Sequence, residues 1–288
     1  MEKRHVKIIE CPRDAMQGIH QFIPTDVKVR YLNGLLRTGF DTIDIGSFVS
    51  PKAIPQLADT AEVLGRIDMD NTRSQLLVIV ANERGAEDAV KHANVTYLGY
   101  PFSISETFQQ RNTNTSIAGS WGRIARIADI VRKADKELVV YISMAFGNPY
   151  GDPWNAEVAL HWTDRIVKEL GVGIVALADT VGVAKPADIH GMFSALIPAL
   201  PDVEFGAHLH CRPDNWPAKT GAAWEAGCRR FDGAIKGFGG CPMAEDELVG
   251  NLATELFVHD LEQRGISTGL DPEQLGRSVM EAGGVFPM

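Results

Sequence analysis

The chain has 288 residues, 45% of them hydrophobic, and a formal net charge of -9. That length can bury one large core, and a single domain is expected rather than two smaller ones. No basic block offsets the acidic balance, so nucleic acid and anionic membrane are excluded as main partners and a small-molecule substrate is expected. The four cysteines, Cys11, Cys211, Cys228 and Cys241, form no C-x-x-C pair, which suits free thiols in a reducing cytosol. Residues Met1 to Lys7 lead directly into a strand-like run without a signal-type apolar region, and no apolar run is long enough to span a bilayer. A cytoplasmic protein is the expectation.

In chain order, strands are predicted over His5 to Cys11, Asp41 to Ser47, Gln75 to Ala81, Val95 to Pro101, Leu138 to Ala145, Ile174 to Asp179, Glu204 to Cys211 and Arg230 to Lys236. Helical spacing of apolar residues falls between them, over Thr25 to Thr38, Pro51 to Ile67, Ile117 to Ala134, Ala156 to Leu170, Ala187 to Leu200 and Trp216 to Ala226. Thr25-Asp26 and Ser50-Pro51 serve as helix starts, and Gly39, Gly171 and Gly227 as stops. Asn251 to Gly265 and Pro272 to Ala282 add helices at the end, an extension of one barrel domain from about residue 244. Eight strand–helix alternations predict an α/β fold, a (β/α)8 TIM barrel with additional C-terminal helices.

A barrel of this kind carries its chemistry at the carboxyl ends of its strands, so polar residues should collect there. The first strand runs into Cys11-Pro12-Arg13-Asp14, the second holds Asp44 and ends at Ser47, and the fifth holds Tyr141 and Ser143. The sixth ends in Asp179-Thr180, and the eighth runs into Gly237-Phe238-Gly239-Gly240-Cys241-Pro242. The seventh contains His208-Leu209-His210, whose imidazoles, two residues apart, project from one face of a strand. Taken singly, an Asp at a strand end is usually a cap, Arg13-Asp14 a surface ion pair, and a free Cys a buried apolar thiol. Two histidines at strand spacing together with a nearby acid point instead to a metal. Imidazoles with a carboxylate and an amide or water favour Mg²⁺, Mn²⁺ or Fe²⁺ and leave Zn²⁺ open. Such an ion acts as a Lewis acid and template for an oxygenated carbon acid.

The run Ile9-Glu10-Cys11-Pro12-Arg13-Asp14-Ala15-Met16-Gln17 resembles the opening strand of 3-hydroxy-3-methylglutaryl-CoA lyases, V-x-V-G-P-R-D-G-L-Q. The resemblance continues in order through Gly46-Ser47-Phe48-Val49-Ser50-Pro51-Lys52, Pro55-Gln56 with Asp59, Ala178-Asp179-Thr180-Val181-Gly182-Val183, the H-x-H pair, Gly239-Gly240-Cys241-Pro242 and Gly250-Asn251-Leu252-Ala253-Thr254-Glu255. It implies a divalent cation, Mg²⁺ or Mn²⁺, held by Asp14, His208, His210 and Asn251, with no organic cofactor beyond the CoA of the substrate. It places Arg13 beside the thioester carbonyl, Cys241 as the acid that protonates the acetyl-CoA carbanion, and Asp179 as an acid near the metal. Gln17, Ser47 and Tyr141 would line the acyl pocket and Asn112 the CoA-bearing end. Asp44 stands where the family has a glutamate, and Ala15 where it has glycine. Cys211-Arg212-Pro213-Asp214 replaces the Asp-Thr that usually follows the histidines, so their support must be organised differently or come from Asp214. The loop from Cys241 to Asn251 is also one residue longer. The implied reaction is cleavage of 3-hydroxy-3-methylglutaryl-CoA, or a close 3-hydroxyacyl-CoA, to acetyl-CoA and acetoacetate, in a homodimer. The alternatives are an acetyl-CoA-dependent Claisen synthase, a 2-oxo-acid aldolase, or a non-catalytic acyl-CoA-binding barrel.

Overall fold

A computed structural model describes residues 6–240 and 249–286. Eight strands pair in parallel and in sequence order, and the eighth closes on the first. They are β1 (Lys7–Glu10), β2 (Thr42–Ser47), β3 (Gln75–Ile79), β4 (Val95–Ser103), β5 (Glu137–Ser143), β6 (Ile174–Asp179), β7 (Glu204–Leu209) and β8 (Arg230–Gly233). β2, β6 and β8 are buried at every residue, as expected of strands packed against helices outside and barrel filling inside. The helices are α1 (Pro12–Gln17), α2 (Thr25–Thr38), α3 (Thr60–Arg66), α4 (Glu83–Ala89), α5 (Glu106–Thr113), α6 (Ile117–Lys133), α7 (Ala156–Leu170), α8 (Pro186–Ala199), α9 (Trp216–Glu225), α10 (Thr254–Gln263) and α11 (Pro272–Val285).

Local chemistry sets most boundaries. Asn82, Ser105, Ser116 and Asn155 each accept a backbone N–H from the first turn of the helix that follows. Gly39 and Gly171 end α2 and α7 in the left-handed conformation, at φ of 87° and 72°. The helix expected over residues 51–67 is a correction. Ala53 N and Ile54 N both donate to Ser50 O to form a turn, Pro55–Leu57 make a single 3-10 turn, and only Thr60–Arg66 is α-helical. Pro55 has no N–H to continue a helix from Ser50-Pro51, so the run breaks in the middle. Three short helices, α1, α4 and α5, lie in segments for which no helix was named from the sequence.

The barrel holds two cores. A large shell lies between sheet and helices, with Leu35, Phe40, Ile127, Ile166 and Phe193 among its fully buried members. A small separate cluster of Leu77, Val139, Tyr141, Ile174 and Ala176 fills the barrel interior. At the amino-terminal ends of the strands the buried Arg230 donates to Glu204 Oε1 at 3.1 Å, and Lys7 Nζ reaches the same carboxylate at 2.6 Å. At the chain's end α11 returns across α2, with Phe286 edge-on to Tyr31 at 5.5 Å. Among the described residues no helix is long and apolar enough to cross a membrane.

Candidate active site

The chain leaves β1 at Glu10 and turns at once into α1, with Pro12 in the first turn, where a missing N–H costs nothing. This places Arg13 and Asp14 across the carboxyl-terminal mouth of the barrel. They do not form a surface ion pair: Arg13 is 9% and Asp14 4% exposed. Arg13 Nε and Nη2 donate to Asp44 Oδ2 at 2.9 and 2.6 Å, and Nη1 donates to Asp14 Oδ1 at 2.8 Å and Gln17 Oε1 at 2.9 Å. Four of the five guanidinium N–H groups are thus committed among the described residues, leaving one on Nη2.

Two strands round the barrel from β1, β7 carries His208 and His210 follows directly on its last residue, with ring centres 5.3 Å apart. His208 Nδ1 lies 3.1 Å from Asp232 Oδ2 on the adjoining β8, and its Nε2 faces Asp14 Oδ2 at 4.0 Å. His210 Nδ1 faces Gly250 O at 3.3 Å, which turns its Nε2 the other way. One ligand atom each from Asp14, His208 and His210 lies within 4.8 Å of the others. A carboxylate oxygen and two imidazole nitrogens, each ring fixed by a partner on its other nitrogen, are a donor set that fits a divalent cation. Asn251 Nδ2 donates to Asp14 Oδ2 and to Phe238 O, both at 2.8 Å, so adding its oxygen to that set requires the amide to turn over. Gly239, at φ 98°, presses against this corner, where a Cβ would meet Asn251 Nδ2 and Asp14 O at 2.7 Å. No residue with a side chain fits there. Cys241, two residues on, lies outside the described residues.

Electrostatics prepares the same groups. Burial pulls the Asp14 carboxyl up, but Arg13, His208, His210 and the Asn251 amide outweigh it and bring it to about 2. Burial and the neighbouring His208 push His210 down to about 4, keeping its ring neutral. Burial also lowers His208, but the hydrogen bond and charge of Asp232, with Asp14 beyond, raise it overall. Asp44, behind the guanidinium and 0% exposed, is pushed up by burial to about 6 despite Arg13.

A cavity of about 750 Å³ opens over this corner. Arg13, Asp14, Gln17, Tyr141, His208 and His210 line its floor, and Phe108, Arg111, Asn112 and Arg123 its outer part. It thereby gathers seven of the residues expected from the sequence. Asp44, Ser47, Asp179 and Asn251 are off its wall, each 5% exposed or less. Asp179 Oδ2 accepts from Lys219 Nζ at 2.7 Å, and Oδ1 from Ala184 N at 3.1 Å.

The family model described as HMGL-like matches residues 5–279 of the chain. The chain belongs to the HMGL-like family. It is 34% identical over 280 residues to the cytoplasmic 3-hydroxy-3-methylglutaryl-CoA lyase of Rattus norvegicus, covering 97% of this chain and 79% of that protein. Its fold superposes on the HMG-CoA lyase of Brucella melitensis with a TM-score of 0.91 at 31% identity, covering 98% of this chain and 99% of that one. It likewise resembles an HMG-CoA lyase from Acinetobacter baumannii in complex with coenzyme A and 3-methylmalate, with a TM-score of 0.91 at 30% identity, covering 99% and 92%.

Within this HMGL-like barrel, support of the histidines does not come from Asp214, which is exposed. Asp232 supports the His208 ring, and Lys219 Nζ donates to His210 O at 2.9 Å. Neither was expected from the sequence. Arg230 and Asp232 alternate on β8, and two charged residues on one face of a fully buried strand were a readable signal for Asp232. Lys219 gave none, because a lysine on a helix is ordinarily solvated.

Proposed function

We propose that the chain is a divalent-metal-dependent lyase cleaving 3-hydroxy-3-methylglutaryl-CoA to acetyl-CoA and acetoacetate. The observation that carries this is the convergence of Asp14, His208 and His210 in the cavity beside the one N–H of Arg13 that takes no partner among the described residues. Family membership supports the reaction class.

Bound by Asp14, His208 and His210, with Asn251 after its amide turns, a cation would lower the pKa of the substrate's tertiary hydroxyl and orient the adjoining carboxylate. As the hydroxyl proton passes to solvent in the open cavity, the C–O bond becomes a carbonyl, the C2–C3 bond breaks, and its electron pair passes to the thioester enolate. The remaining Nη2–H of Arg13 then holds the enolate oxygen, while Asp44, Asp14 and Gln17 keep the guanidinium from turning to follow it. Asp44 acts through Arg13, since it has no exposed surface to offer a substrate. Tyr141, edge-on to His208 at 5.7 Å, limits the acyl end of the cavity. Asn112 and Arg111 also line the cavity, where they would meet the CoA chain. Cys241 returns a proton to C2, which completes acetyl-CoA.

Purified protein should bind Mn²⁺, and His208→Ala should lose both the bound metal and turnover while keeping its far-UV circular dichroism. Full Mn²⁺ binding by folded His208→Ala would remove the assignment of the site.

A further inference from the structure

We propose that Lys219 is a positioning residue that sets His210 for metal binding by tying together the loops that leave β6 and β7. The inference rests on the metal site proposed above. Lys219 sits in the first half of α9 and is 2% exposed. Its ammonium carries three N–H groups and meets three acceptors: Asp179 Oδ2 at 2.7 Å, His210 O at 2.9 Å and Gly182 O at 3.0 Å. A lysine placed only to balance a buried acid has no need of two carbonyls on different loops.

The carbonyl it holds just beyond β7 is that of a proposed ligand. The β6–β7 ladder ends at Asp179 paired with Leu209, so His210 lies one residue beyond the last rung. Its backbone is otherwise held by an isolated antiparallel bridge to Asn251, with Cys211 N donating to Gly250 O at 2.8 Å. Lys219 therefore supplies the second tether at the position where the strand no longer fixes the ligand's height or rotation. Its third acceptor extends the tie. Gly182, at φ 72°, packs so closely on Val249 that an added Cβ would lie 2.7 Å from it, and Val249 leads through Gly250 to Asn251. One ammonium thus links the end of β6 at Asp179 with the loop that follows it, the residue just beyond β7 and the approach to Asn251. Asp179 supplies the charge that keeps the ammonium in place, and its remaining oxygen holds Ala184 N. This geometry gives Asp179 a place in the site without contact with substrate.

Two variants separate positioning from simple stability. Lys219→Met leaves Asp179 buried without its cation and should lower the urea midpoint. Lys219→Met/Asp179→Asn removes both charges, keeps an oxygen for Ala184 N, and should recover the midpoint while His210 O stays untethered. Mn²⁺ affinity of each, measured by titration calorimetry without substrate, should fall by about 10-fold or more relative to wild type, the loss typical when support of a metal ligand is removed. Wild-type affinity in the folded double variant overturns the inference, and so does a double variant that fails to fold, because the pair would then be a requirement of the barrel itself. Wild-type protein that binds no Mn²⁺ contradicts the metal site instead, so the two failures are distinguishable.

Discussion

Asp44→Ala gives the clearest test of how the guanidinium is held. Asp44 Oδ2 takes two of the four N–H groups that Arg13 commits, from a position with no exposed surface. Burial outweighs the lowering effect of Arg13, and with help from the Asp14 and Asp232 charges it leaves the Asp44 carboxyl raised to about 6, so the pair organises the site more than it adds net stability. Deleting the carboxylate is still expensive, because the buried positive charge remains. Breaking such a pair costs about 3–5 kcal/mol, and the lower end applies here since Arg13 keeps Asp14 and Gln17 and borders the cavity. At roughly 2–4 °C per kcal/mol, the melting temperature should fall by about 6–12 °C. Asp44→Asn retains an acceptor oxygen and should lose only about 1.5–3 kcal/mol, the worth of a hydrogen bond to a charged group. Urea unfolding followed by circular dichroism measures the stability of both variants. Steady-state kinetics should show kcat reduced more than KM is raised, because Arg13 is needed most when the enolate forms. An Asp44→Ala protein within about 0.5 kcal/mol of wild type, with unchanged kcat, refutes the argument, since that is the effect of an ordinary surface change.

Asp232→Asn should weaken Mn²⁺ binding by about 10–100-fold, because an amide no longer fixes His208 with its Nε2 free; unchanged affinity would show that the ring is oriented by something else. Glu10 is fully buried between Ile235 N and Thr254 Oγ1, and burial raises its pKa from 4.5 to about 8. The folded state therefore holds a proton that the unfolded state has released, so stability falls as pH rises from about 4.5 and levels off above 8. Glu10→Gln should flatten urea midpoints between pH 5.5 and 8, and curves parallel to wild type would contradict this. Cys241→Ala should bind Mn²⁺ normally yet turn over substrate more slowly, and undiminished turnover would take the proton donor away from Cys241.

The strand alternation of His208 and His210, and the Arg-Asp pair at the end of the first strand, were legible because a barrel buries its interior and exposes only its mouth. A charged residue at a strand end then stands out against an apolar background. The same logic failed in helices. Lys219 looks like any solvated lysine until α9 is packed against the ends of β6 and β7. α1 was hidden because Pro12, Arg13, Asp14, Ala15 and Met16 are all buried, so no amphipathic stripe marks it. The helix expected over residues 51–67 failed in the opposite sense: the apolar spacing was present, but Pro55 decided the backbone. The resemblance implied Asp179 as an acid near the metal; that its two oxygens are taken by Lys219 and Ala184 is a detail set by tertiary partners that no local pattern encodes.

The most direct test of the account is to strip the protein with a chelator, incubate it with 3-hydroxy-3-methylglutaryl-CoA, and follow both products before and after Mg²⁺ or Mn²⁺ is added. Acetyl-CoA and acetoacetate should form in equal amounts only after the metal is restored. Equal turnover in the stripped protein, or none of either product with metal present, would contradict it.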